Sequence, residues 1–151
     1  MVFQKLFKTI CSLFTQTELA PRFNSGTGER LSRFLTDRNQ YSSPRNRVLH
    51  TAFFPPKDLR LSVYWTTGIA EKEIWNMGQE FVTPSRGPIH GRGDINSFDV
   101  VRDASLQIEL TGVPHARHAE LFGWDTDRAK ARLQATKLAD KARLVVVSKN
   151  L

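Results

Sequence analysis

The stretch RLSVYWTTGIAEKEIWNMGQEFV, residues 60–82, carries two periodicities back to back. In Arg60–Thr66, Leu61, Val63 and Trp65 alternate with Ser62 and Tyr64, which is the two-residue period of a strand. After Thr67 and Gly68, the residues Ile74, Trp75, Gly78, Phe81 and Val82 recur at helical spacing. Glu71 and Glu73 occupy the first turns of that helix, where negative charge complements the backbone dipole. Pro84 marks its end. Short strands set between separate helices predict an α+β fold. The expected architecture is a single small domain with a short, mostly antiparallel sheet, an amphipathic N-terminal helix and a basic C-terminal helix.

The flanking segments divide the chain into three parts. Residues 1–16 form the N-terminal helix: Val2, Phe3, Leu6, Phe7, Ile10, Leu13 and Phe14 recur at three- and four-residue steps. Residues 17–47 read as a basic arm or linker, with a short helix over Gly28–Asp37 and a polar loop from Asn39 to Arg47. Residues 48–151 form the α+β core. Val48–Phe54 is apolar enough for a strand, is stopped by Pro55 and Pro56, and is expected to pair with Arg60–Thr66 as a hairpin. Thr83–Gly93 reads as a loop, and Asp94 as the cap of a short helix carrying Ile95 and Phe98. Leu106–Leu110 and His118–Trp124 read as strands. Asp125, Thr126 and Asp127 open the last helix, whose seam is Ala131, Ala135, Leu138 and Ala142. The segment Leu144–Val147 fits either a terminal strand or a continuation of that helix.

Charge is polarised along the chain. Residues 1–47 hold eight Lys and Arg against three Asp and Glu, and residues 125–151 hold seven against three. The intervening body has seven against nine, so the net +7 resides at the two ends. Basic ends on a near-neutral body suit an acidic partner: nucleic acid, a nucleoprotein complex or an acidic protein surface. The N-terminal helix adds a candidate contact for a protein partner, with a membrane surface the less favoured use. One cysteine, Cys11, leaves no internal disulfide and points to a reducing, cytoplasmic setting. No apolar run approaches the ~20 residues that a membrane helix needs.

Three clusters carry candidate chemistry. On the last helix, Lys130, Gln134, Lys137 and Lys141 share one face, with Arg128, Arg132 and Arg143 beside it. Together with Arg45 and Arg47 of the arm, the residues Arg128, Lys130, Lys137 and Lys141 are the candidate phosphate contacts of a nucleic-acid-binding protein. The second cluster is His115, Arg117 and His118, which suits an alternative reading as a phosphodiesterase or nucleotide-processing enzyme: imidazoles move protons and a guanidinium stabilises anionic charge. The third is the Gly-rich loop Ser85–Asp94, whose Arg86 and Arg92 are candidate anion contacts. A third function, a subunit or inhibitor that binds an acidic protein surface, needs only the basic ends. No pattern for a cofactor or a metal is present, and the His-x-x-His step lacks a second ligand cluster. A solvated helix face and ordinary connecting loops account for the same residues without any ligand.

Overall fold

The computed structural model describes residues 23–148. The expected N-terminal helix, 1–16, and Cys11 lie outside the described residues. Six strands form one sheet: β1 (Arg30–Leu35), β4 (Leu61–Trp65), β5 (Gly91–Asn96), β6 (Gln107–Leu110), β7 (His118–Phe122) and β8 (Arg143–Val146), in the order β6-β7-β4-β1-β5-β8. Every pairing is antiparallel. A separate two-stranded ribbon pairs β2 (Tyr41–Ser42) with β3 (Arg47–Val48). Helix α1 (Glu71–Phe81) and the single turn α2 (Thr83–Arg86) lie on one face of the sheet, and α3 (Arg128–Lys141) lies on the other. The fold is therefore α+β, with the basic helix the sequence predicts.

Alternation along each strand decides what each face buries. Leu31, Leu35, Leu61, Val63, Trp65, Ile95, Ala119 and Leu121 meet Ala131, Ala135, Leu138 and Ala139 of α3 in the larger core. The alanines bring the helix close to the sheet, and Phe53 and Val48 fill the space beside it. The opposite face is smaller and mixed. Phe34 and Tyr64 pack under Ile74, Trp75 and Met77 of α1, while Ser32, Thr66, Arg92 and Asp94 are buried polar residues.

Strand β4, helix α1, strands β6 and β7 and helix α3 form where periodicity places them. Four expectations are corrected. Residues 28–37 do not form a helix in an arm: Arg30–Leu35 is strand β1, hydrogen-bonded between β4 and β5. The spacing of Leu31, Phe34 and Leu35 fits a helix face, but a strand buried on both faces satisfies it equally. Residues 48–54 are not a strand paired with β4. They end β3 and turn through a 3-10 segment, His50–Ala52, that covers the core. The expected loop over Thr83–Gly93 holds α2 and the start of β5. Asp94 caps no helix but sits inside β5, where Gly93 lets Val48 and Phe53 approach the strand. Of the two alternatives for Leu144–Val147, the strand is the one formed: Arg143–Val146 is the edge strand β8.

Gly78 sets how closely α1 approaches the sheet. A Cβ there would lie 2.5 Å from Ile89 Cδ1 and 2.7 Å from Phe34 Cε1. In an isolated helix, replacing glycine by alanine gains about 1 kcal/mol. Here overpacking against the Phe34 ring outweighs that gain, since forced methyls in a filled core cost about 1–3 kcal/mol. Gly78→Ala is accordingly expected to lower the urea midpoint; a midpoint that rises means that α1 is free to move away.

Candidate functional site

Helix α3 is positioned by its cap and by one inward amide. Asp127 accepts a hydrogen bond from the Lys130 amide at 3.0 Å. Gln134 reaches across the helix flank: its amide donates to the Ala104 carbonyl at 3.0 Å and its carbonyl accepts from the Asp125 amide at 2.9 Å. Sequence spacing puts Gln134 on the basic face, and in the fold it serves as a tether. With Ala131, Ala135, Leu138 and Ala139 buried, Lys130, Lys137 and Lys141 project to solvent. None of the three forms an ion pair among the described residues.

The other flank of α3 meets the segment that precedes β4. Arg47 donates to Asp140 at 3.2 Å, so the β2–β3 ribbon lies against the C-terminal half of the helix. Both side chains are about half exposed, and such a pair adds little stability. Its value is positional: it joins residues 93 positions apart in sequence. Arg45 lies in the exposed turn of the same ribbon. Nearer the start of the helix, the Arg128 guanidinium sits over the Phe54 ring, 5.3 Å from its centroid. His50, Thr51, Phe54, Arg128 and Arg132 line an open groove of about 620 Å³ there. The six residues expected to hold phosphate thus belong to one helix and the ribbon packed on it.

The histidine cluster divides. His118 begins β7 and is only 6% exposed. Its Nδ1 is 2.5 Å from the Thr111 hydroxyl, and its ring meets the edge of Tyr64 at 5.3 Å. Burial lowers its pKa, with the Glu120 carboxylate opposing. His115 turns the other way: its Nδ1 accepts from the Arg117 amide at 3.0 Å and its ring packs on Phe81 at 5.1 Å. Arg117 donates to the Thr67 and Trp65 carbonyls and stacks on the Trp65 indole at 4.4 Å. His115 and Arg117 line a cleft with Glu73, Asn76 and Glu80. His118 lines a second cleft, with Arg33, Ser62, Tyr64, Ser85 and Arg86. Phe81 is a wall of both, so the three residues do not converge on one reacting atom.

Arg86 and Arg92 also separate. Arg86 is exposed at the rim of the His118 cleft. Arg92, expected to face an anion from a loop, is instead a strand residue 1% exposed. It grips Glu71 through two hydrogen bonds of 2.8 and 2.7 Å, holds Asp94 at 2.9 Å, and stacks on Trp75 at 4.8 Å. The Arg92 guanidinium keeps the Glu71 carboxyl below its usual range. All three of its nitrogens thus donate to carboxylates of the protein. Sequence reading places Arg33 among the arginines of a basic arm and Tyr64 on the outer face of a strand, and nothing local joins the two.

Among the described residues, no group of three or more His, Cys, Asp and Glu side chains is disposed to hold a metal ion. Among them, too, no helix is long and apolar enough to cross a membrane. Comparison with known proteins finds no matching family model, no matching curated protein and no matching solved structure.

Two measurements test these assignments. Removing one member of a buried ion pair strands the other, at about 3–5 kcal/mol. Arg92→Met, which leaves Asp94 buried without its cation, is expected to lose stability on that scale in chemical denaturation; a surface-like loss below about 0.5 kcal/mol contradicts the network. The second test uses His118. Its folded pKa lies below the value of 6.5 that it has when unperturbed. Between the two values the unfolded chain binds more protons, so stability is lost as pH falls below the unfolded value. Denaturation at neutral and at mildly acidic pH should therefore show a loss in the parent protein that is smaller in His118→Gln.

Proposed function

We propose that this protein binds nucleic acid, alone or within a nucleoprotein complex, through the exposed face of α3 and the adjoining β2–β3 ribbon. The observation that carries this reading is the Arg47–Asp140 contact, which merges two basic segments, remote in sequence, into one surface. Lys130, Lys137 and Lys141 supply point charges for phosphate and form no ion pair among the described residues, although Lys141 lies near enough to Asp99 to favour its charged form. Arg45, Arg47 and Arg128 supply guanidinium groups at its border, suited to phosphate oxygens. Phosphate contacts of this kind position a nucleic acid without reading its bases.

Asp140 tempers the field. It spends part of its charge on Arg47, and the net effect along the helix remains positive because Asp140 is the single acid within Arg128–Lys141. Binding by such a face is an exchange of condensed counterions for protein cations, so it weakens steeply with salt.

Titrating labelled duplex and single-stranded oligonucleotides across a salt series tests the proposal. The logarithm of the affinity is expected to fall linearly with the logarithm of salt concentration. Lys137→Ala with Lys141→Ala should flatten that slope by about one unit for each phosphate contact removed. Absence of binding at low salt, or an affinity indifferent to salt, rejects the surface as a nucleic-acid site. Equal affinity for polyglutamate would reassign it to an acidic protein partner.

A further inference from the structure

The cleft between α1–α2 and the centre of the sheet has a volume of about 180 Å³. Its floor is Ser62, Tyr64 and His118, and its walls are Phe34, Phe81, Val82 and Pro114. Arg33 enters from the sheet and Arg86 from the rim. Arg33 is held by carbonyls alone: Nε donates to Ala52 at 3.1 Å and Nη1 to Ser62 at 3.0 Å. Its remaining nitrogen, Nη2, has no protein partner among the described residues. Neither does the Tyr64 hydroxyl, on a side chain 4% exposed, nor Nε2 of His118. Among the described residues, the only fully buried side-chain polar atom without a partner is elsewhere, at Thr83. These three groups therefore keep access to the cleft.

The charges in this cleft do not balance. Two other buried or partly buried arginines meet carboxylates: Arg92 holds Glu71 and Asp94, and Arg60 holds Glu109 and Glu120. Among the described residues, no carboxylate lies near enough to Arg33 to bear on its charge. Its pKa falls to about 10, first through desolvation and then through the like charge of Arg86. A desolvated cation beside a second cation is costly unless an anion joins them. Among the described residues no carboxylate meets this charge, which leaves it open to an anionic ligand.

We propose that this cleft is a binding site for a phosphate group, held between Arg33 and Arg86 with Tyr64 and His118 as further donors. Two guanidinium groups match the charge of a phosphate dianion. Donors reaching in from the sheet, the floor and the rim suit a tetrahedral oxyanion, which has oxygens on several sides, over a planar carboxylate. The volume equals that of about six liquid waters. It takes the phosphate and a short substituent, and excludes a whole nucleotide. Inorganic phosphate, a small phosphomonoester and the terminal phosphate of a nucleic acid share this chemistry. The cleft is on the sheet face opposite α3, so the inference stands independently of the nucleic-acid surface.

Isothermal titration near neutral pH and at constant ionic strength tests it, with inorganic phosphate as the probe. The expected result is saturable single-site binding that weakens by about tenfold or more in Arg86→Glu. It should be unchanged in Lys137→Ala with Lys141→Ala. Arg86 is exposed and unpaired, so that variant should retain its fold, checked by its denaturation midpoint; Arg33→Met is the second variant. The His118 ring resonances should shift on saturation. Phenyl phosphate, and a 5′-phosphorylated oligonucleotide against its 5′-hydroxyl form, then separate the sources: whichever binds tightest names the ligand, and each supports the site. Phosphate that fails to saturate the protein overturns the proposal. So does binding that survives Arg86→Glu and disappears with the two lysines, because the anion would then reside on α3.

Discussion

A guanidinium in the middle of a strand is the constraint around which this fold is arranged. Arg92 ties the first turn of α1 to β5 through Glu71, and ties β5 to itself through Asp94. The chain continues outward: Ser32 donates to Asp94 at 2.6 Å and shares a 2.7 Å hydrogen bond with Thr66, which also accepts from Arg30. Three adjacent strands and one helix are thereby linked on a single sheet face. Replacing such a network by well-packed apolar groups is often no less stable, so its main contribution is specificity. Side chains alternate along a strand, and a one-residue slip of β5 would drive Arg92 into the apolar face against Leu31 and Leu35. The network makes that register prohibitive.

The parts of the fold that were legible in sequence are those with one clean periodicity. Strand β4 alternates because Leu61, Val63 and Trp65 all face α3, and α3 keeps a seam of alanines because it lies flat on the sheet. Strands β1 and β5 escaped because neither has a solvent face to report. Gly91-Arg92-Gly93-Asp94 has the composition of a turn. It is a strand because Gly91 accommodates the Val145 carbonyl, which a Cβ would meet at 2.7 Å, and because the charge on Arg92 is answered by Glu71, twenty-one positions earlier. Compensation at that distance leaves no local pattern. The site divides likewise: the lysines of α3 announce themselves by helical spacing, whereas the approach of Arg47 to Asp140 and of Arg33 to Tyr64 exists only after folding.

The sheet separates two kinds of positive charge. On one side the lysines of α3 stand in water, where counterions screen them and a partner must compete with salt. On the other side Arg33 is stripped of water inside a narrow cleft, where screening is poor and each hydrogen bond counts for more. A broad exposed field attracts long polyanions with little regard to shape. A buried guanidinium with a second at the rim would discriminate by size and by the number of oxygens presented. On the proposals above, positive charge would serve collection on one face and selection on the other, and the covering elements differ accordingly: α1 and α2 roof the cleft, and none of the described residues roofs the outer side of α3.

The strand order has a kinetic consequence. Only β6 and β7 are neighbours both in the chain and in the sheet. Each remaining ladder joins distant segments: Leu31 faces Trp65, Leu31 also faces Ile95, Val63 faces Ala119, and Gly93 faces Leu144. Each such closure costs chain entropy before any contact repays it. A topology dominated by remote pairings belongs to the slow end of single-domain folding. The local ladders, β6–β7 in this sheet and the separate β2–β3 ribbon, are hairpins, and a lone hairpin is marginal in water. Assembly of the sheet therefore depends on pairings between segments remote in sequence, β1 with β5 at its centre among them.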